Sequence, residues 1–347
     1  MIIKKVAIVL LWASVSSVSN GYVQEYVVEP VAVWEQIGAS AVAWSPDGQI
    51  LAVGNDEGVE LYTPELEPLQ FLSQSSLPST KILLWSPDGE FLVVCCSGAQ
   101  TPYPAEIQVW DLSSNEVIRT FSQHDCCITG MGWFPDQPYL LSSSWDSTIR
   151  VWDPMLACRI CVSSAPEMTQ LPVPFAPSYF SGIMSLSVTS DYQVAAVVGD
   201  IGLVTWDRNT FGYTIESPLN RTVPSPSIAR WSADNNWIAT GAGTYNLESQ
   251  QENNFEHCPQ SYTVAWNPNN DVLAIYTDSG VILCDVRHDD ILTILAGAMD
   301  MDLEVAETLL HYQYALDWSP DGRLLAGAAG DGFVRVWEVP DISLSEE

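Results

Sequence analysis

The sequence predicts an all-β fold, a seven-bladed β-propeller of four-stranded antiparallel blades, and three observations predict it. A strand–turn–strand unit whose first strand ends in Trp, or in one copy Val, recurs seven times. A constant interval then links an acidic bend to an aromatic or Cys farther along five of those units. Lastly, a segment of strand composition near the amino end has no blade of its own.

The repeated unit is clearest at Ala43-Trp44-Ser45-Pro46-Asp47-Gly48, Leu84-Trp85-Ser86-Pro87-Asp88-Gly89 and Asp317-Trp318-Ser319-Pro320-Asp321-Gly322. Gly132-Trp133-Phe134-Pro135-Asp136 keeps most of it. Weaker copies are Ser187-Val188-Thr189-Ser190-Asp191, Arg230-Trp231-Ser232-Ala233-Asp234 and Ala265-Trp266-Asn267-Pro268-Asn269. Pro presets φ, Asp bonds its own backbone and Gly accepts positive φ, so two strands reverse tightly. The flanking strands are largely apolar, as sheets covered on both faces require.

The second register runs from Asp146 to Trp152, Asp200 to Trp206, Asp331 to Trp337, Asp56 to Tyr62 and Asp278 to Cys284, six residues each time. It marks the third strand of a blade. The last unit stops after its third strand, Phe333 to Val339, so the segment Glu25 to Trp34 is predicted to complete that blade and close the ring. The fifth blade is predicted to be irregular. Only 35 residues separate Trp231 from Trp266, and Asn246 to Gln260 is polar, which points to degraded third and fourth strands. Six blades plus an irregular segment is the alternative.

The chain is 347 residues long and 47% hydrophobic, enough for a core. Its formal charge of -31 reflects 12 Lys and Arg against 43 Asp and Glu. Such a surface argues against nucleic acid and anionic membranes as partners, because both are bound through clustered bases. Lys4 and Lys5 followed by the apolar run Val6 to Val15 predict a signal peptide over residues 1–20. The run is short for a membrane span. The expected organisation is therefore a single propeller over 21–340 and a short acidic tail over 341–347. The mature chain is expected to be exported (periplasmic, cell-surface or secreted) without membrane insertion; an N-terminal membrane anchor is the alternative. Eight Cys, at 95–96, 126–127, 158, 161, 258 and 284, read as structural thiols or disulfides, with the pairing open.

The dipeptides Trp110-Asp111, Trp152-Asp153 and Trp206-Asp207, with Trp337-Glu338 as a near miss, make the chain resemble the WD-repeat β-propeller family. Its tight Pro-Asp-Gly turns and leader resemble a bacterial-type, exported member. The resemblance implies a hydrogen-bonded network in the third blade formed by His124, Ser144 (or Ser142), Asp146 and Trp152. It says little about function, because the family's propellers serve many unrelated tasks; the expectation here is a monomeric propeller acting as a protein-interaction scaffold.

Loop lengths supply the candidate binding surface. Turns between strands one and two and between three and four are short, whereas Ser97–Pro104, Ser163–Gly182, Ser217–Pro226, Gly243–Gln260 and Ala296–Tyr312 are long and are expected on the opposite face. Within them, Pro172, Phe175, Tyr179 and Phe180 offer rigid anchors, and Asp300, Asp302 and Glu304 an acidic stretch. No metal-spaced His pair, nucleophile elbow or phosphate loop is present, so no catalytic activity and no cofactor is expected. Calcium stays open, because hard cations need only converging oxygens. The partners are expected to be proteins. A propeller enzyme of hydrolase or lactonase type and a lectin for glycans or small ligands are the alternatives.

Overall fold

The computed structural model describes residues 26–340 apart from residue 37 and segments 74–79, 97–104, 135–137, 156–166, 175–181, 190–192, 200, 208–211, 219–227, 241–242, 256–257, 259–262, 278–279, 296–314 and 329–331. Among the described residues every regular element is a β-strand.

The reversals that begin most blades explain why the chain folds this way. In the three clearest copies and in the weaker fifth one the Ser hydroxyl donates to the Asp two residues on: Ser45 to Asp47 (2.6 Å), Ser86 to Asp88 (2.5 Å), Ser232 to Asp234 (2.5 Å) and Ser319 to Asp321 (2.6 Å). The same hydroxyl accepts the backbone N–H five residues on, from Ile50, Phe91, Trp237 and Leu324. Ser is therefore as necessary as Pro, Asp and Gly. Gly48 sits at φ 69°, and Asn235 takes the equivalent left-handed position at φ 61°.

Seven sheets result. The N-terminal strands are β1 (Tyr26–Val28) and β2 (Ala32–Glu35). Blade 1 is β3 (Ala41–Trp44), β4 (Leu51–Gly54), β5 (Gly58–Tyr62) and β6 (Pro68–Ser73). Blade 2 is β7 (Thr80–Trp85), β8 (Phe91–Cys96), β9 (Glu106–Asp111) and β10 (Glu116–Phe121). Blade 3 is β11 (Ile128–Trp133), β12 (Leu140–Ser144), β13 (Ile149–Trp152) and β14 (Glu167–Leu171). Blade 4 is β15 (Ile183–Val188), β16 (Val194–Val198), β17 (Gly202–Trp206) and β18 (Tyr213–Pro218). Blade 5 is β19 (Ala229–Trp231), β20 (Trp237–Thr240), β21 (Gly243–Asn246) and β22 (Gln251–Asn254). Blade 6 is β23 (Thr263–Trp266), β24 (Val272–Thr277), β25 (Gly280–Asp285) and β26 (Asp290–Leu295). Blade 7 is β27 (Ala315–Trp318), β28 (Leu324–Ala328) and β29 (Phe333–Glu338), completed by β2.

Closure follows the predicted route. β2 runs antiparallel to β29, with Ala32 opposite Val336 and Trp34 opposite Val334. The segment also does something the sequence did not signal: β1 adds a fifth, parallel strand to blade 6, with Tyr26 opposite Thr293. Pro30, which has no N–H to continue a ladder, falls between the two pairings, and Val31 N–H resumes on Val336 O at 2.8 Å.

The core is divided among the blade interfaces. Each of seven buried clusters draws on two neighbouring blades, from Trp44 and Leu51 against Val334 and Val336 at the seam to Trp231 and Ile238 against Ala195 and Leu203 between blades 4 and 5. A recurring bond joins them near the axis. The indole N–H of Trp85 donates to Ala43 O, that of Trp266 to Arg230 O and that of Trp318 to Ala265 O, each at 3.0 Å.

Two expectations are corrected here. The fifth blade keeps all four strands, shortened to three or four residues but not lost. Its polar stretch is an outer strand with Gln251, Glu252 and Asn253 exposed, joined to β21 through a tight turn in which Asn246 Oδ1 accepts from Ser249. Within Gly243–Gln260, residues 243–246 and 251–254 are thus strand rather than loop. In blade 3 the fourth strand is Glu167–Leu171, inside the segment expected to be loop. The long connection before it joins strands three and four, so long pieces are not confined to one face.

Candidate interaction face

The turns between second and third strands, with the connections between blades, form one face of the ring, and blade 3 builds its most rigid part. His124 lies in the connection from blade 2, Ser142 in β12 and Trp152 at the end of β13. His124 Nδ1 pairs with Asp146 Oδ2 at 2.7 Å and Nε2 with Ser142 Oγ at 2.7 Å, while Trp152 Nε1 donates to Ser142 Oγ at 2.8 Å. Phe121 stacks on Trp152 with centroids 4.7 Å apart. The His124, Ser142, Asp146 and Trp152 side chains all find partners here, which makes a buried polar network stiff rather than costly.

Ser142, not Ser144, is the hydroxyl in this network. Position along the strand decides it: Leu140, Ser142 and Ser144 share one sheet face, but Leu140 lies opposite Trp152, so Ser142 is the nearer of the two hydroxyls and meets both rings. Ser144 Oγ instead donates to Cys126 O at 3.1 Å and accepts Asp146 N–H at 3.0 Å, tying the connection to the turn. Burial alone would raise the pKa of Asp146. Hydrogen bonds from His124 and Thr148 outweigh it and bring the carboxyl down to about 2.

Above the network stands Trp145, 51% exposed. Its backbone is clamped: Trp145 N–H donates to Cys127 O at 3.0 Å, and a Cβ at Gly182 would come within 3.1 Å of Trp145 Cα. An exposed indole on a fixed backbone offers contact area at little ordering cost. Its signal in the sequence is an aromatic directly before the network Asp.

Of the other candidates, Pro172 is exposed while its carbonyl accepts Trp206 Nε1–H at 2.7 Å, so it also holds the third-strand Trp of blade 4. Phe175, Tyr179, Phe180, Asp300, Asp302 and Glu304 lie outside the described residues, as do the predicted leader and tail. Among the described residues no group of three or more His, Cys, Asp and Glu is placed to hold a metal ion.

Two opposite charges sit deep beside the axis, on the innermost strands of blades 5 and 7. Arg230 Nη1 donates to Ala229 O at 2.9 Å and reaches Leu186 O of blade 4 at 3.5 Å. Asp317 Oδ2 accepts Trp44 N–H of blade 1 at 2.7 Å, across the ring seam. Burial pushes Asp317 up to about 7 despite that bond and the attraction of Arg230. Elsewhere, Cys258 and Cys284 form a disulfide between the blade 5–6 connection and β25, with Cα atoms 6.4 Å apart.

Comparison with known proteins agrees with this architecture. Among curated proteins, the Periodic tryptophan protein 2 homolog of Caenorhabditis elegans is 22% identical over 321 residues, covering 86% of this chain and 33% of that protein. WD repeat-containing protein 36 of Homo sapiens is 29% identical over 105 residues, covering 29% of this chain and 10% of that protein. The chain therefore spans a third or less of these relatives, and both are eukaryotic. Among solved structures, a chain from "Crystal Structure of Mitotic Checkpoint Complex" superposes with a TM-score of 0.71 at 19% identity, over 97% of this chain and 99% of that chain. A family model described as "WD domain, G-beta repeat" matches residues 115–153, which hold the His124–Asp146–Trp152 network, and residues 308–338 of the closing blade. The molecule is thus a seven-bladed propeller in which WD-type repeats are recognised directly in two stretches.

Proposed function

We propose that this chain is a non-catalytic interaction scaffold that binds a protein partner through the face carrying the turns between second and third strands. The observation that carries the reading is Trp145, half-exposed over a fully bonded polar network that fixes its position. Rigid, exposed aromatics are what protein contacts use as anchors. The occurrence of a similar propeller in a structure titled as a complex fits the same reading. Affinity capture from native extract tests it, with Tyr213→Ala as a control, since Tyr213 is 44% exposed on the outer rim of blade 4. Proteins recovered by the wild type and Tyr213→Ala but lost with Trp145→Ala support the proposal. Equal recovery by all three excludes this face.

We further propose that the protein is exported, with residues 1–20 removed. The Lys4-Lys5 leader followed by an apolar run and the Cys258–Cys284 disulfide support this, since such bonds persist in oxidising compartments. Mass spectrometry of the N-terminal peptide of secreted material decides it. An intact leader, or retention in the cytosol, removes the proposal.

A further inference from the structure

The Cys258–Cys284 bond is an ordinary structural disulfide by its reach. Both residues are buried, and a Cα separation of 6.4 Å lies within the usual range of about 4.4–6.8 Å. A second sulfur pair has a different character. Cys126 and Cys127 are consecutive, half-buried and held as thiols in the connection that carries His124. Consecutive Cα atoms lie about 3.8 Å apart, below the comfortable span. A disulfide between such neighbours is strained, and strained, accessible disulfides are the labile ones, closing only under oxidising conditions and reopening under mild reduction.

The surroundings give that chemistry a consequence. Three hydrogen bonds tie this short stretch to the turn that displays Trp145. Asp125 N–H donates to Asp146 Oδ2 at 3.1 Å, Ser144 Oγ to Cys126 O at 3.1 Å and Trp145 N–H to Cys127 O at 3.0 Å. Drawing the two sulfurs together must turn the peptide between them, and the carbonyls of Cys126 and Cys127 cannot turn without disturbing these bonds. Burial, followed by the influence of Cys127 and Asp146, holds the Cys126 thiol above its ordinary pKa, so Cys126 does not react indiscriminately at rest.

We propose that Cys126 and Cys127 form a reversible dithiol–disulfide site, oxidised by low-molecular-weight disulfides, and that its closure is transmitted to Trp145. The chemistry balances as two exchanges. One Cys, after releasing its proton, attacks the small disulfide, forms a mixed disulfide and expels one thiolate. The second Cys, deprotonated in turn, attacks the protein-bound sulfur and expels the other. The pair loses two electrons and two protons, and the small disulfide becomes two thiols.

The test uses the full chain in glutathione buffers of increasing oxidised share, followed by acid quenching, alkylation and peptide mass spectrometry. The 126–127 peptide is expected to lose two hydrogens without retaining glutathione. Its reopening is expected at a reductant level at least about tenfold below that which opens Cys258–Cys284. The latter pair also reports that the chain stays folded. Acrylamide quenching of Trp145, taken as the difference between wild type and Trp145→Phe, is expected to change on oxidation, and to stay constant when Cys126→Ser is treated alike. The proposal is overturned if both thiols remain open to alkylation in the most oxidised buffer. It is equally overturned if glutathione stays on one Cys, if either pairs with a different Cys, or if the Trp145 difference signal is unmoved.

Discussion

Replacing Asp317 with Asn removes one charge beside the axis and keeps the oxygen that accepts Trp44 N–H. The side chain's pKa moves from 3.8 to about 7 on folding. Between those values the folded chain holds a proton that the unfolded chain releases, so this group contributes stability below about pH 4 that is lost as pH rises through about 7. At about 1.36 kcal/mol per tenfold change in proton affinity, the ceiling is about 4 kcal/mol. Partial contact with the channel, where water lowers the effect of burial, reduces the expectation to about 1–3 kcal/mol. Urea unfolding of wild type and Asp317→Asn at several pH values measures it. The variant is expected to match the wild type near about pH 4 and to exceed it by about 1–3 kcal/mol near about pH 8. A wild-type advantage at alkaline pH would show that the Asp317 charge is a net contributor through Arg230, refuting the claim that desolvation dominates.

Blade 3 should show the opposite slope. Asp146 descends to about 2 on folding, so its contribution is present above about pH 4 and lost as pH falls through about 2; Asp146→Asn should weaken acid dependence measured by the same unfolding series. Ser142→Ala leaves His124 and Trp152 without their shared partner and should cost about 2–3 kcal/mol in urea denaturation, with Ser144→Ala costing less. Cys258→Ser opens a loop with a sequence separation of 26 residues and should lower stability by about 3 kcal/mol under oxidising conditions, and by nothing under full reduction, in thermal unfolding.

Much of the fold was legible because backbone reversals carry their own chemistry in side chains. Ser45, Pro46, Asp47 and Gly48 each answer a local requirement, so recurrence of the tetrad located the blades. The closing role of Ala32–Glu35 was legible from an unfilled place in the last sheet. What failed was reading polarity as absence of sheet. Outer strands are solvated on a free edge, so Gln251–Asn254 and Glu167–Leu171 need no apolar alternation, and a polar strand looks like a loop. The choice between Ser142 and Ser144 turned on their different partners, and the polar spacing alone left both open. Asp317 and Arg230 were invisible for another reason: 87 positions of chain, ordered into three blades, are needed to bring their charges within reach of each other.

The two pairings of the amino-terminal segment bear on how the chain can be made. Ala32 finds its partner at Val336, so β2 must wait through the synthesis of six blades and most of a seventh for its partner strand. During that interval the inner faces destined for the seam, among them Trp44 and Leu51, have no blade to cover them. A long-range closure of this kind slows folding. Helpers that shield apolar surface would therefore act on the nascent first blade, and slowing synthesis anywhere between the first blade and β29 should lengthen its vulnerability.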